Sequence, residues 1–439
     1  MAAADFNRDG LLDIFIGGRL APGTYPQPAR SALLVNRGGR FEDITDTLAP
    51  GLSKVGLVCS ALWSDVDGDG WPDLLIALEW GGLQYWHNNA GKGFENWSER
   101  AGFAQAGTGW WTSLASADFN GDGRPDFVAG NLGLNTPYSA SPESPALLFA
   151  GDFKGGGGRA KQLVEAAYEN GVLHPLHTRK ELGAKIPSLL RRFPKTDPYA
   201  AASLGEILGE DKLAAATRFA ATEFRSGVFL SQPDGTYEFR PLPRIAQAAP
   251  IQGLVALDLD GDGQADICFV QNSYAPVPSM GRFDGGLGLW LRGDGKGGFA
   301  AVPAAESGIV VPGDAKALVA VDLAGDGLPD LVVSRNNSTT LAFLNHRVPG
   351  MNPLAVVLHG KPGNLRAAGA RVTLELANGS RQTAEVQLGS GYFSQSSETC
   401  FFGFPDANPP KRLTIRWPDG HTSNQPVPPK ARRIEASWE

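Results

Sequence analysis

Cysteine is scarce in this chain: 439 residues hold three, Cys59, Cys268 and Cys400, and no two form a CxxC pair. Neither a disulfide framework nor a thiolate zinc site follows from them. Histidine is nearly as rare, with six. No HExxH pair, phosphate-cradling glycine loop or Ser/His/Asp order is present, so the common catalytic signatures are missing. No run of 18 or more apolar residues occurs, which argues against a membrane span. An excess of basic charge is also lacking: the net charge of −7 speaks against a nucleic-acid partner, which needs a basic face. Before Asp5 there is no charged start and no apolar stretch, hence no signal peptide in this chain. Residues 2–6 read as the tail of a strand, and a mature or shortened form of a longer chain is expected.

What is abundant is punctuation. The chain has 56 Gly and 32 Pro, spread without a triplet period, beside 42% hydrophobic residues. That combination predicts many turns between short strands around an ample core. A nine-residue pattern, D-x-[D/N]-x-D-G-x-x-D, recurs four times in full. The first copy carries Asp5, Asn7, Asp9 and Asp13; the second Asp65, Asp67, Asp69 and Asp73. The third has Asp118, Asn120, Asp122 and Asp126; the fourth Asp258, Asp260, Asp262 and Asp266. A fifth keeps Asp322, Asp326 and Asp330 but has Ala324 at its second ligand position, and a sixth, from Asp152, has lost all but its first carboxylate. A short apolar strand follows each good copy, and strand-turn-aromatic hairpins follow further on, as in YWHNNAGKGF from Tyr85.

Carboxylates so crowded need a counter-charge. Two of them about 4 Å apart repel by roughly 4 kcal/mol at an effective dielectric near 20. Oxygen ligands at positions 1, 3, 5 and 9 of a Gly-bearing loop suit a hard cation, and irregular high coordination suits Ca²⁺ better than Mg²⁺. The loops are not EF-hands: the twelfth positions, Ile16, Ile76, Ala129 and Phe269, offer no carboxylate. Repeated on every unit, about four ions would staple strand to strand and serve a structural role.

Taken together, these loops resemble FG-GAP/VCBS repeats, the blades of integrin-α-type propellers. Farther on, Arg371-Val372, residues 391–395 (GYFSQ), Phe402-Gly403 and residues 416–420 (RWPDG) resemble the ASPIC/UnbV domain that follows such propellers in bacterial proteins related to cartilage acidic protein. The resemblance implies an all-β fold: a calcium-loaded β-propeller over 1–345, of seven blades with six repeat units visible, and a β-sandwich-like domain over 352–439. It also implies an extracytoplasmic location, although such proteins begin with a signal peptide that this chain lacks. Strands are expected in the C-terminal domain at 354–358, 370–376, 382–388 and 413–417 from their alternation.

Between about 175 and 226 the period changes to that of helices. Leu182, Ile186, Leu189, Leu190 and Phe193 mark one helix; Asp197-Pro198 opens a second through Leu208; 214–222 reads as a third. Such an insert would cap one propeller face. Beside it Glu165, Tyr168, His174 and His177 cluster, either as a solvated edge or as acid/base candidates under a lid. Trp110, Trp111, Asn131, Asn135 and Tyr138 form a second group. Neighbours on a strand face opposite ways, so one Trp is expected at an edge, for ligand contact or for packing between blades. Arg292-Gly293-Asp294 is explained by its place in a hairpin turn. Two functions fit: a binding or adhesion module for a glycan or protein ligand, and an enzyme working on a carbohydrate or small molecule beneath the insert.

Overall fold

In the computed structural model, which describes residues 1–157, 161–276, 281–428 and 430–438, the repeats fold as small antiparallel sheets laid in series. The first sheet orders Ala2–Ala4, Asp13–Ile16, Ala32–Asn36 and Phe41–Asp43. The second orders Leu57–Ser64, Asp73–Gly81, Gln84–Asn88 and Phe94–Asn96. Leu114–Ala117, Asp126–Ala129, Gly227–Ser231 and Tyr237–Pro241 make the third. The fourth comprises Ile251–Leu257, Asp266–Gln271, Leu289–Gly293 and Phe299–Val302, and the fifth Ala315–Val321, Asp330–Arg335 and Leu341–Phe343.

In every sheet an Asp loop joins the first strand to the second, and first strands of successive sheets pack against one another. A sheet of three or four short strands cannot bury both faces alone, so its apolar residues go to the seams between neighbours. Phe6, Trp63 and Phe94 fill the seam of the first and second sheets; Phe103, Trp111, Phe127 and Phe229 fill the next. The second strands of the second, third and fourth sheets are accordingly buried on both sides, and residues 74–78 read as a continuous apolar run.

The sixth repeat unit does not continue the series. Its Asp152 follows the strand Ala146–Gly151 of a separate sheet inserted within the third, ordered Val172–Pro175, Gln162–Glu169, Ala146–Gly151 and Thr217–Ala221. Residues 158–160 of that copy lie outside the described residues.

The helical insert is present but more broken than its period predicts. The first expected helix is two, Arg179–Lys185 and Pro187–Arg192, because Pro187 has no N–H to continue the first and holds Ile186 extended at φ −133°. The second is also two, Thr196–Ala201 and Leu204–Leu208, with Ser203 and Glu206 forming a capping box between them. In place of a helix at 214–222, only Glu210–Ala214 is helical, and Thr217–Ala221 pairs with Ala146–Gly151 as an edge strand. The helices bury Leu182, Leu189, Leu204 and Ile207 against Phe149 and Val164 of the insert sheet. They thus cover their own sheet.

The C-terminal domain has two sheets. One places Met351–His359 between Cys400–Pro405 and a parallel Arg433–Ser437. The other orders Arg381–Glu385, Arg371–Leu376, Pro410–Arg416 and Thr422–Pro426. Leu354, Val356, Leu374, Phe402, Leu413, Ile415 and Trp417 meet between them in one core. The strand expected over 382–388 stops at Glu385; Gly389 and Gly391, with φ of 100° and 75°, turn the chain out of the sheet and toward the repeats.

Candidate metal centre and the face it builds

The Asp loops share one hydrogen-bond plan. The first Asp of each accepts the N–H of the sixth-position glycine: Asp5 from Gly10, Asp65 from Gly70, Asp118 from Gly123, Asp258 from Gly263 and Asp322 from Gly327, at 2.8 to 3.1 Å. The ninth Asp accepts from the end of the third strand. Asn36, Asn88, Ser231, Gly293 and Asn345 donate their N–H to Asp13, Asp73, Asp126, Asp266 and Asp330 at 2.7 or 2.8 Å. In four loops the other oxygen of that Asp takes an N–H from the loop's second residue, as with Val66 to Asp73 at 3.1 Å. In those four loops the ninth Asp is a strand staple with both oxygens engaged, and the first Asp is held by N–H groups of its own loop. Positions 3 and 5, Ala324 apart, each turn one oxygen to a local N–H.

Acidic clusters that could hold a metal ion result. Asp65, Asp67 and Asp73 bring one ligand atom each to within 4.8 Å of one another, as do Asp258, Asp260 and Asp262. A third cluster joins Asp67 and Asp69 to His87, a residue that sequence reasoning passed over. Its Nδ1 lies 3.1 Å from Asp67 and 3.3 Å from Asp73, and its ring stacks on Trp97 at 3.7 Å. The signal was its position: it directly precedes Asn88, whose N–H meets the ninth Asp. In the first loop Asp13 Oδ2 is buried without a hydrogen-bond partner, an orphan that a cation would satisfy. Burial and neighbouring carboxylates push Asp5 up to about 6 and Asp13, Asp73 and Asp266 up to about 7. The donor set, all oxygen apart from His87, fits a hard cation.

Every one of the five loops also meets the C-terminal domain. Gly363 accepts the N–H of Leu12 at 3.2 Å, and Arg416 Nη2 lies 2.6 Å from Asp65 Oδ2. Arg371 donates to the Gly123 carbonyl, a side chain on Gly403 would run into Asp258, and one on Gly327 would meet the Arg432 carbonyl. Three residues that carried the C-terminal resemblance, Arg371, Gly403 and Arg416, are thus among those seated on the Asp loops. Between the third and fourth loops and this domain lies a cavity of about 1010 Å³, with Arg371, Gln382, Glu385, Gln387 and Gln395 among its walls.

Trp110, Trp111, Asn131, Asn135 and Tyr138 sit at or beyond the ends of their strands away from the Asp loops. Trp111 is buried against Phe229 and Phe239, whereas Trp110 is half-buried and packs edge-on to Trp80 and Tyr138. Asn131 is buried and accepts from the N–H of Trp110 at 3.0 Å; Asn135 donates to the Ala248 carbonyl at 3.1 Å. Tyr138 hydrogen-bonds Glu165, whose carboxyl burial raises. Glu165 and Tyr168 lie on opposite faces of their strand, with only Tyr168 against the helices. His174 Nδ1 lies 3.1 Å from the Ala202 carbonyl. His177 Nε2 lies 2.8 Å from Lys185 Nζ, and burial with that ammonium lowers it to about 4. Arg292 bridges Asp260 and Glu306, so the Arg-Gly-Asp tripeptide is tied into its own sheet.

Residues 65–129 match the family model of the FG-GAP-like repeat, and residues 360–437 match that of ASPIC and UnbV. The chain therefore carries both modules, repeat first and ASPIC/UnbV domain last. No curated protein matches it. Among solved structures, the V. cholerae biofilm matrix protein Bap1 is similar over 98% of this chain and 59% of its own, at 11% identity and a TM-score of 0.24. Rhamnogalacturonan lyase YesW is similar over 99% and 72%, at 10% identity and a TM-score of 0.31. Bacillus licheniformis rhamnogalacturonan lyase PL11 covers 79% and 72%, at 13% and 0.20. The chain thus spans 59% of the length of Bap1. Likenesses of that degree leave function to the chain's own residues. No described helix is long and apolar enough to cross a membrane.

Proposed function

We propose that the chain is a calcium-stabilised, extracytoplasmic binding module for a glycan or protein ligand. The five sheets are blades of a propeller, and each of the four complete loops holds one Ca²⁺ through its Asp and Asn side chains, with the ninth residues Asp13 and Asp73 among the ligands. Four dications would bring the net charge from −7 to about +1, leaving a surface without a strong field.

The observation that carries a binding role is the cavity of about 1010 Å³ beside the Asp118 and Asp258 loops. Its size reaches the upper end of ligand sites, and amide, guanidinium and hydroxyl side chains converge on it. Such walls match the mixed donors and acceptors of a saccharide. A glycan array read with calcium and with chelator tests this: binding lost on chelation is expected, and an array silent in both conditions sinks the glycan reading.

The second reading, an enzyme, is favoured by Glu165, held up by burial beside Tyr138, with Lys185 and His177 on the same insert. A carboxyl so placed can hold a proton for general-acid work. Product analysis of a polysaccharide panel incubated with the wild type and with Glu165→Gln decides it; turnover that is equal in both, or absent from both, removes the reading.

A further inference from the structure

The segment 385–397 of the C-terminal domain leaves its sheet and runs along the line where the first strands of the repeats converge. It enters beside the Asp loops: Ser64 Oγ donates to Glu385 at 2.5 Å, and Gln387 Nε2 donates to Ser116 Oγ at 2.7 Å. Next it pairs with the first sheet, Ala3 N–H donating to the Leu388 carbonyl at 2.9 Å. Deeper, Gly391 donates to the Leu114 carbonyl at 2.8 Å and accepts from Ser60 Oγ at 2.7 Å. At the far end Arg19 donates to Tyr392 Oη at 3.4 Å, beyond the strand Asp13–Ile16 and so opposite the loop that precedes it. The return leg touches the fifth sheet: Ala320 N–H donates to Ser396 Oγ at 3.1 Å, and Ser397 N–H donates to the Ala320 carbonyl at 3.0 Å.

Among the described residues no strand of the fifth sheet pairs with one of the first. The segment supplies what they lack, because Ala3 and Ala320 hydrogen-bond to its two legs and not to each other. We propose that 387–397 is an intramolecular ligand of the repeats: a plug that bridges the fifth sheet to the first and seals the hub with Tyr392. Two features mark it as a docked ligand and not as one more strand. It contributes side-chain and single-bridge contacts to four sheets without joining the ladder of any, and its own domain keeps a separate core. Its tip is presented, not packed: Phe393 is 78% exposed and takes a φ of 48°, unusual for a bulky residue.

A native thiol reports on the plug. Cys59 lies half-buried in the hub near Arg19 and Tyr392, where burial pushes it up to about 12; Cys268 and Cys400, pushed up equally, are fully buried in other cores. Only the thiolate reacts with a disulfide reagent, so removing the cover should accelerate Cys59 by on the order of 100-fold. The full chain is tested as wild type, as Gly391→Val, which puts a branched side chain at a φ of 75° against Ser394, and as the milder Tyr392→Ala. One thiol per chain reacting about 100-fold faster in either variant, with the other two still protected, is the expected result. Adding Ala3→Cys with Leu388→Cys places two Cys at a close antiparallel bridge, and their disulfide should restore the slow rate to the Gly391→Val chain. Thiol rates unchanged in both variants overturn the proposal. So do three thiols appearing together in both, since the segment would then be an inseparable part of one cooperative fold.

Discussion

The repeats and the C-terminal domain solve the same problem, keeping short strands together, by different means. The repeats spend buried carboxylates: in each loop the first and ninth Asp accept backbone N–H groups that close the turn and staple the strands, and in the second and fourth loops the carboxylates crowd closely enough to hold a cation. The C-terminal domain has no such loop and relies on one closed apolar core, with Val372, Leu374, Leu413 and Trp417 all at 2% exposure or less. A repeat sheet is thus a part that needs neighbours and, on the proposed reading, ions, whereas the sandwich is a unit. Cooperative dependence on solvent ions should therefore stop at the boundary between them.

The sharpest way to break that comparison is to remove the metal. A site held at about 100 to 1,000 times its Kd contributes roughly 3 to 4 kcal/mol, so four sites should dominate the stability of the repeats. Calorimetry of the full chain in excess chelator should show the repeat transition falling steeply, while the fragment 352–439, expressed alone, folds and melts at one temperature in both conditions. A chelator-sensitive fragment would erase the contrast. Next in size is the core of the sandwich. Leu374→Ala leaves a cavity at a fully buried site and should cost about 2 to 5 kcal/mol whatever the calcium level; urea denaturation of the same fragment measures it.

Within one loop the two classes of Asp should separate. Asp73→Ala strands two buried backbone N–H groups and should destabilise the chain by about 1 to 3 kcal/mol or more even without metal. Asp67→Ala, which frees only the exposed N–H of Asp69 and a contact to His87, should cost much less than Asp73→Ala in chelator and more once calcium is present. Equal losses for both in chelator would mean that the ninth position is a ligand and no more.

The insert offers a smaller, pH-driven test. His177, facing Lys185, Glu181 and the carbonyl region of Glu165, sits at about 4 in the folded chain against about 6.5 when exposed. The unfolded chain therefore binds the proton more readily between those values. Stability from this group is complete above pH 6.5 or so and is lost as pH falls toward 4, by at most about 3 kcal/mol. His177→Gln should flatten that slope in thermal melts between pH 4.5 and 7; an unchanged slope assigns it to other groups.

Much of this was legible beforehand because spacing carries it. The nine-residue pattern placed every Asp loop, hairpin signatures placed most third strands, and alternation found four C-terminal strands but not Cys400–Pro405, Thr422–Pro426 or Arg433–Ser437. What stayed hidden was long-range. Nothing near Asp152 says that its sheet is inserted within another, since local pattern is blind to which strand returns to which neighbour. The apolar period over 182–193 is real, yet Pro187 divides the helix. Glu385 looks like the middle of a strand until two glycines with positive φ take the chain elsewhere. The contact of Arg371 and Arg416 with the Asp loops spans more than 200 residues of chain, a distance over which sequence gives no sign of who meets whom.

The loop at Asp322 has a wider meaning. It lacks the second ligand at Ala324 and still forms the same two staples, through Gly327 and Asn345, as its complete siblings. If the loops hold the proposed ions, shape and ion affinity are therefore written by different residues of one short motif. Duplicated units can drift in the ligands while the scaffold stays intact, so each copy is a separate dial. An array built this way can be tuned, copy by copy, to the ion level of the surroundings in which the chain works.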